Sequence, residues 1–202
     1  AFLIYGYLSL YEAGFDMEWL KEAKRLSDLM IEKFWDSTAG GFFLTADDAE
    51  PLITRPKEIY DGAVPSANSV AALDLLLLSR YTGDSKYEDY SQKTLTAFSG
   101  VLSQDPANYP QMLITLDFSI GPSQEIVLAG DPGDAGIRSM LREIFSQYLP
   151  NKIVMLNGAG LEALAPFVKD KISISGKSTA YVCRGRTCNL PVTDEDARKK
   201  LL

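Results

Sequence analysis

The sequence of 202 residues is 46% hydrophobic and 23% charged, and its 20 basic against 27 acidic residues leave a net charge of −7. That balance argues against a nucleic-acid or anionic-membrane binder, because phosphate affinity needs clustered Lys and Arg. The complete absence of histidine removes the usual general base near neutral pH and the commonest metal ligand, leaving acid–base chemistry to carboxylates, Lys, Tyr or Cys.

The chain opens on AFLIYGYLSLYEAG, with no initiator Met, no basic n-region and no capping residue. This is not a signal peptide, and the run is too short to span a bilayer. It reads as a helix from Phe2 to Glu12, apolar almost all round and so buried on most faces, cut by a fragment boundary. The expectation is that the chain is the C-terminal piece of a larger protein. Gly14 ends the helix and Asp16 caps a second, in which Trp19, Leu20, Ala23, Leu26, Met30 and Phe34 recur at spacings of three and four. Charges fill its other face, which marks an outer, half-exposed helix.

Residues 37 to 64 form a connection of unusual length, with a possible short strand or hairpin at Gly41–Leu44. A loop this long in a compact domain is functional or disordered, and its aromatic residues argue against disorder. It leads into RPKEIYDGAVPSANSVAALDLLLLSRYTGD, from Arg55 to Asp84. The first half is polar and Pro-interrupted; the second is an apolar run that predicts a buried helix from about Ser66 to Tyr81. Ser66 or Asn68 can cap it and Gly83 closes it, so its positive end points at the polar loop. Asp36, Arg55, Lys57, Glu58, Asp61 and Asn68 gathered there could bind a small polyhydroxylated or anionic molecule. The same residues also suit a well-capped helix with a solvated entry loop.

A capping box at Ser85-Lys86-Tyr87-Glu88 opens a fourth helix that Ser99-Gly100 stops. Asn108 and Pro110 open a fifth, Gln111 to Phe118. Two stretches, LYEAGFDMEWLKEA and SRYTGDSKYEDYSQK, both run from a buried helix through a Gly stop and a tight capped turn into an outer helix, about 69 residues apart from Gly14 to Gly83. Hairpins repeated at a fixed spacing describe a toroid of hairpins, of which five helices are only a part.

After Gly121-Pro122 the pattern changes. Glu125–Ala129, an amphipathic Ile137–Tyr148 and Lys152–Leu156 predict strand, helix, strand and hence a parallel pair with a crossover helix. A third strand is expected at Thr179–Cys183, and a last helix, capped by Thr193, from Asp194 to Leu202. The fold class expected is therefore mainly α, with hairpins over 1–120 and a small α/β unit over 121–202.

WDSTAGGFFLT, the Arg55–Asp84 stretch and AYVCRGRTCNLP together resemble the C-terminal part of the large proteins that join an N-terminal thioredoxin-like domain to a six-hairpin, glycosidase-like or N-acylglucosamine 2-epimerase-like (α/α)6 toroid. The resemblance runs through most of the chain and implies the last hairpins of that toroid, with the thioredoxin-like domain and earlier hairpins upstream as intramolecular partners. It implies a carbohydrate-like ligand and places Phe42, Phe43, Arg55, Lys57, Asp61, Ser66 and Asn68 on the cavity wall. Epimerases on this barrel use histidine acid–base pairs, which this chain lacks.

Within that frame Asp61 is the candidate catalytic acid or base, of the kind glycosidases use in pairs. The alternative is a salt bridge to Arg55 or Lys57 that holds the loop. Arg55 and Lys57 either clamp an anionic group or pin the loop. Phe42, Phe43 and Tyr60 either stack on a sugar face or act as hydrophobic pegs; Ser66 and Asn68 complete the ligand-binding set. No cofactor fingerprint is complete: GDPGD at Gly130 follows a predicted strand but lacks both phosphate-loop spacings. Cys183 and Cys188 are too far apart for a C-x-x-C pair and too few for zinc, which leaves buried thiols, a local disulfide or a contact to the thioredoxin-like domain. Buried thiols are the favoured reading, and so sparse a cysteine usage fits a cytoplasmic setting. A non-catalytic scaffold for the thioredoxin-like domain is the competing function.

Overall fold

The alternation of apolar and charged helices becomes packed hairpins in the computed structural model, which describes residues 1–50, 53–158, 160–185 and 187–193. The chain is mainly α with a small α/β part. It divides into one unit of Ala1–Ser79 and Asp84–Ser119, and another of Arg80–Gly83 and Ile120–Leu202.

The first unit is built from α1 (Phe2–Gly14), α2 (Met17–Phe34), most of α3 (Ala67–Thr82), α4 (Ser85–Gln104) and α5 (Pro110–Ile120). α3 is the buried centre: nearly every residue from Asn68 to Ser79 is shielded from water, as its unbroken apolar run demands. Ala72 of α3, Leu95 and Leu102 of α4 and Met112 of α5 share one core. Ser91 of α4 adds a hydrogen bond from its hydroxyl to the carbonyl of Ala72 (2.7 Å). On the charged faces, Asp28 of α2 accepts from Lys86 (2.9 Å) and from the hydroxyl of Tyr87 (2.7 Å) of α4. α1 lies along α2, with Tyr7 stacked on Trp19 at 5.6 Å between ring centres.

The expectation for α1 is corrected by its exposure. Ile4, Leu8 and Tyr11 are buried, but Phe2, Leu3, Tyr5 and Leu10 are each about half exposed. The apolar stripe is there, and no described residue covers that face.

Two boundaries also move. Asp84, not Ser85, caps α4, its carboxylate accepting from the Lys86 N–H (3.0 Å); Ser85 is already helical. The helix then runs on through Ser99-Gly100, because one glycine costs only about 1 kcal/mol and Leu95 and Leu102 hold the flanking turns in the core. It stops at Gln104, just ahead of Pro106. The possible hairpin at Gly41–Leu44 reduces to a single bridge between Trp35 and Phe42.

In the second unit β1 (Gln124–Ala129) pairs in parallel with β2 (Lys152–Asn157) through α6 (Ala135–Ser146), as the strand, helix, strand pattern predicts. A short helix, α7 (Leu161–Leu164), precedes β3 (Thr179–Arg184), which lies antiparallel to β1, and β4 (Thr187–Cys188) closes the order β2-β1-β3-β4. β1 lies between β2 and β3, and every residue of it is buried. Ile137, Met140 and Ile144 are the buried residues of α6. Cys183 and Cys188 form a disulfide, which overturns the expectation of buried thiols: the antiparallel register of β3 and β4 sets the two directly opposite. The helix expected over Asp194–Leu202 lies outside the described residues.

Candidate functional site

The site is built where the loop after α2 meets the N-terminus of α3. Ser66 is the N-cap residue, its hydroxyl accepting from the Ser69 N–H (3.1 Å) and bonded to the Ser69 hydroxyl (2.9 Å). Asn68 is not a cap. Its amide reaches back into the loop: the oxygen accepts from the Phe42 N–H (2.7 Å), and the nitrogen donates to the carbonyls of Phe42 (2.9 Å) and Glu58 (2.8 Å). One buried side chain thereby ties two separate loop segments to the central helix.

The loop turns tightly before Phe42 because Gly40 and Gly41 take φ of +76° and +77°, a region open to glycine. Close approach adds a second requirement at Gly41, where a Cβ would sit 2.9 Å from the Phe98 ring and 3.2 Å from the Asn68 oxygen. Phe42 is 4% exposed, edge-on to Trp35 at 5.1 Å, so it offers no face to a ligand. Phe43 lies under two cations, with the Arg55 guanidinium 4.2 Å and the Lys57 ammonium 5.2 Å from its ring centre. Lys57 also donates to Asp36 (2.5 Å) and to the carbonyl of Gly40 (2.6 Å), and Arg55 donates to the carbonyl of Thr45 (2.7 Å). The Lys57 ammonium, with the N–H groups of Thr38 and Ala39, holds the Asp36 carboxyl down to about 2.

Asp61 sits apart from this cluster, 7% exposed. One carboxylate oxygen accepts from the Ser66 N–H (2.8 Å); the other accepts from the N–H groups of Gln111 (2.9 Å) and Met112 (3.2 Å) at the start of α5. Its own N–H donates to the carbonyl of Asn108 (3.0 Å). A carboxylate across free N–H groups of two helix entries is favoured by both hydrogen bonding and the helix dipoles. Among the described residues it pairs with neither Arg55 nor Lys57, so the salt bridge expected from the sequence is replaced by backbone bonds. The structure thus brings Phe42, Phe43, Arg55, Lys57 and Asn68 into one cluster with Asp36, and sets Asp61 and Ser66 at the neighbouring helix mouth.

Sequence reasoning passed over Asp74. It lies within LDLLLL on α3, is fully buried, and neither carboxylate oxygen has a hydrogen-bond partner among the described residues. Burial pushes its carboxyl well above the usual range. The signal was a lone acid in an apolar run. Elsewhere the GDPGD turn is closed by its own Asp131, which accepts from the Gly133 N–H (2.7 Å) and puts negative charge at that turn. Among the described residues no group of His, Cys, Asp and Glu is arranged to hold a metal ion. No helix there is long and apolar enough to cross a membrane.

No protein-family model matches the chain. It is similar to spermatogenesis-associated protein 20 of Mus musculus and of Homo sapiens, at 36% identity over 207 aligned residues that take in all of this chain. An uncharacterized protein of Caenorhabditis elegans is 30% identical over 95% of the chain. The chain spans about a quarter of the length of each of these relatives. It therefore corresponds to one segment of proteins that are several times larger.

Proposed function

We propose that this chain contributes the last hairpins of an (α/α)6 toroid in a larger cytoplasmic protein carrying an upstream thioredoxin-like domain. In this reading the loop end of α3 forms one wall of a cavity for a carbohydrate-like ligand. The observation that carries it is the cluster on Phe43: a half-buried ring under Arg55 and Lys57, fixed by Asp36 and Asn68 before any ligand arrives. Such pre-ordering lowers the entropic cost of binding. Arg55 and the half-exposed Tyr60 ring are the groups best suited to meet hydroxyls and a sugar's C–H face. Asp61 holds the wall in place through its three backbone bonds, and acid–base groups come from other parts of the toroid.

The test is calorimetric titration of the full-length protein with a panel of monosaccharides and short glycans. Arg55→Met and Tyr60→Ala should weaken binding at least about tenfold, the effect of losing a contact of 1.4 kcal/mol, with an unchanged thermal midpoint. A natively folded protein that binds none of the panel overturns the reading.

A second reading is a non-catalytic scaffold or interaction module for the thioredoxin-like domain. It is favoured by the half-exposed apolar stripe of α1 together with the complete use of the Asp61 carboxylate in backbone capping.

A further inference from the structure

Cys183 and Cys188 face one another in the β3–β4 ladder and are joined by a disulfide. Their settings differ sharply. Cys183 is 4% exposed on a strand paired to β1 along most of its length, whereas Cys188 is exposed on a strand of two residues at the edge of the sheet. We propose that this bond is a thiol–disulfide exchange site, opened and closed by an external dithiol while the rest of the sheet stays folded.

The asymmetry dictates the course of exchange. A thiolate of the dithiol attacks the Cys188 sulfur from the solvent side, the S–S bond breaks, and the electron pair leaves on the Cys183 sulfur, which takes up a proton. The second thiol of the reagent, as thiolate, then attacks its own partner sulfur in the mixed disulfide and releases Cys188 as a thiolate. The protein gains two thiols and the dithiol becomes a disulfide, so electrons balance.

The sheet does not need the bond. The loop it closes is among the shortest possible, and the constraint a disulfide places on the unfolded chain grows with loop length. β3 is held independently by its register with β1, from Glu125 opposite Cys183 to Ala129 opposite Thr179. Ala180 and Val182 lie with Ile126, Met140 and Ile144 around a small apolar gap beside α6. The bond instead fastens the segment that follows. Asn189 donates to the carbonyl of Val182 (2.9 Å), and Val192 exchanges two hydrogen bonds with Ala180 (2.9 and 3.1 Å). Val192 also lines the gap. Reduction leaves β4 with only its two-pair ladder, and the strap from Thr187 to Val192 loosens at that end.

The experiment uses the full-length protein, oxidised with glutathione disulfide and then treated under native conditions with dithiothreitol. Peptide mass spectrometry should find Cys183 and Cys188 both newly alkylatable, with the far-UV circular dichroism unchanged and tryptic cleavage after Arg184 faster. Single variants test the asymmetry: Cys188 in Cys183→Ser should react with glutathione disulfide at least about tenfold faster than Cys183 in Cys188→Ser, as read on their own peptides, since access governs exchange. The proposal is overturned if the bond yields only in denaturant, if reduction unfolds the sheet, or if the two thiols react at equal rates. Native reduction of the unmodified protein decides the matter even where a serine variant fails to fold.

Discussion

Asp61 is where capping and chemistry make opposite predictions. Replacing it by Asn keeps the size and removes the charge and one acceptor. The wild-type carboxylate serves Ser66 with one oxygen and Gln111 and Met112 with the other, whereas an amide has a single oxygen and must turn its NH2 toward donors on the remaining side. Hydrogen bonds to a charged group contribute roughly 1.5–3 kcal/mol each, and a buried donor left unpaired costs about 1–3 kcal/mol. Allowing for non-additivity among the three, Asp61→Asn should lose about 2–4 kcal/mol. The loss should be local: amide exchange at Ser66, or at Gln111 and Met112, should speed up by about 30-fold or more, since each 1.4 kcal/mol is a factor of ten. Native-state hydrogen exchange by NMR on the same sample as the glycan titration reads both effects. Wild-type exchange rates at those amides would refute the capping role of Asp61. Should sugar binding vanish in that same protein, Asp61 belongs to the ligand.

Further outcomes are set by the same geometry. Burial raises the folded-state carboxyl of Asp74, so its contribution is fully present below about pH 4 and is lost as pH rises toward the folded value; Asp74→Leu should add about 1–3 kcal/mol at pH 7 and much less at pH 4, and equal gains in urea melts at both values would contradict this. Asp36 is the opposite case, held down to about 2 by Lys57 first and backbone N–H groups next: what it contributes is present above about pH 4 and is lost as pH falls toward 2, so proteolysis of residues 36–45 by an acid protease should rise there, and Lys57→Met should bring that rise to higher pH. Asn68→Ala removes three loop bonds and should cost about 2–4 kcal/mol, with exchange at Phe42 rising in step. Gly41→Ala forces a Cβ against Phe98 at a positive φ and should cost about 2 kcal/mol, whereas Gly100→Ala meets nothing within 4 Å inside α4 and should gain about 0.5–1 kcal/mol; thermal melts of the pair must move in opposite directions.

What was legible in the sequence was whatever is encoded locally. The apolar run from Val70 to Leu78 could only be a buried helix, Ser66 and Gly83 mark its ends, and the alternation after Gly121 specified the parallel pair with its crossover. What the loop does with its polar residues was not legible, because their partners are distant: Asn68 bonds to Phe42 and Asp61 to Gln111, and no periodicity links such positions. Composition therefore grouped Asp61 with Asp36, Arg55, Lys57 and Asn68 and offered it a charged partner, where the structure sets it apart on backbone N–H groups. The disulfide was hidden for a related reason. A strand of two residues carries no pattern, and only its antiparallel pairing with β3 brings Cys188 opposite Cys183. The apolar surface of α1 was visible, but apolarity says that a face needs cover and not whether this chain provides it.

The hairpin repeat shows why conformation is a better guide than residue identity. Matching the two units by their glycines aligns Gly14 with Gly83. In the structure Gly14 is still helical, and the left-handed residue that ends α1 is Phe15, with φ of +57° against +74° at Gly83. A non-glycine residue there costs about 1–2 kcal/mol. Part of that is offset by the Phe15 N–H, 2.6 Å from the carbonyl of Tyr11, and by the edge-on contact of the two rings. At Gly83 a Cβ would also crowd the Phe167 ring at 3.0 Å, so a side chain there needs that ring to shift. The next residue is aspartate in both turns, and Asp16 and Asp84 each accept from the N–H two positions on, at 3.0 Å. The repeated unit is thus a left-handed residue followed by an aspartate cap, and its register pairs Phe15 with Gly83, one position away from the alignment that glycine suggests. A scan for further hairpins in the larger relatives should accordingly look for the aspartate cap that opens each outer helix and allow any residue before it.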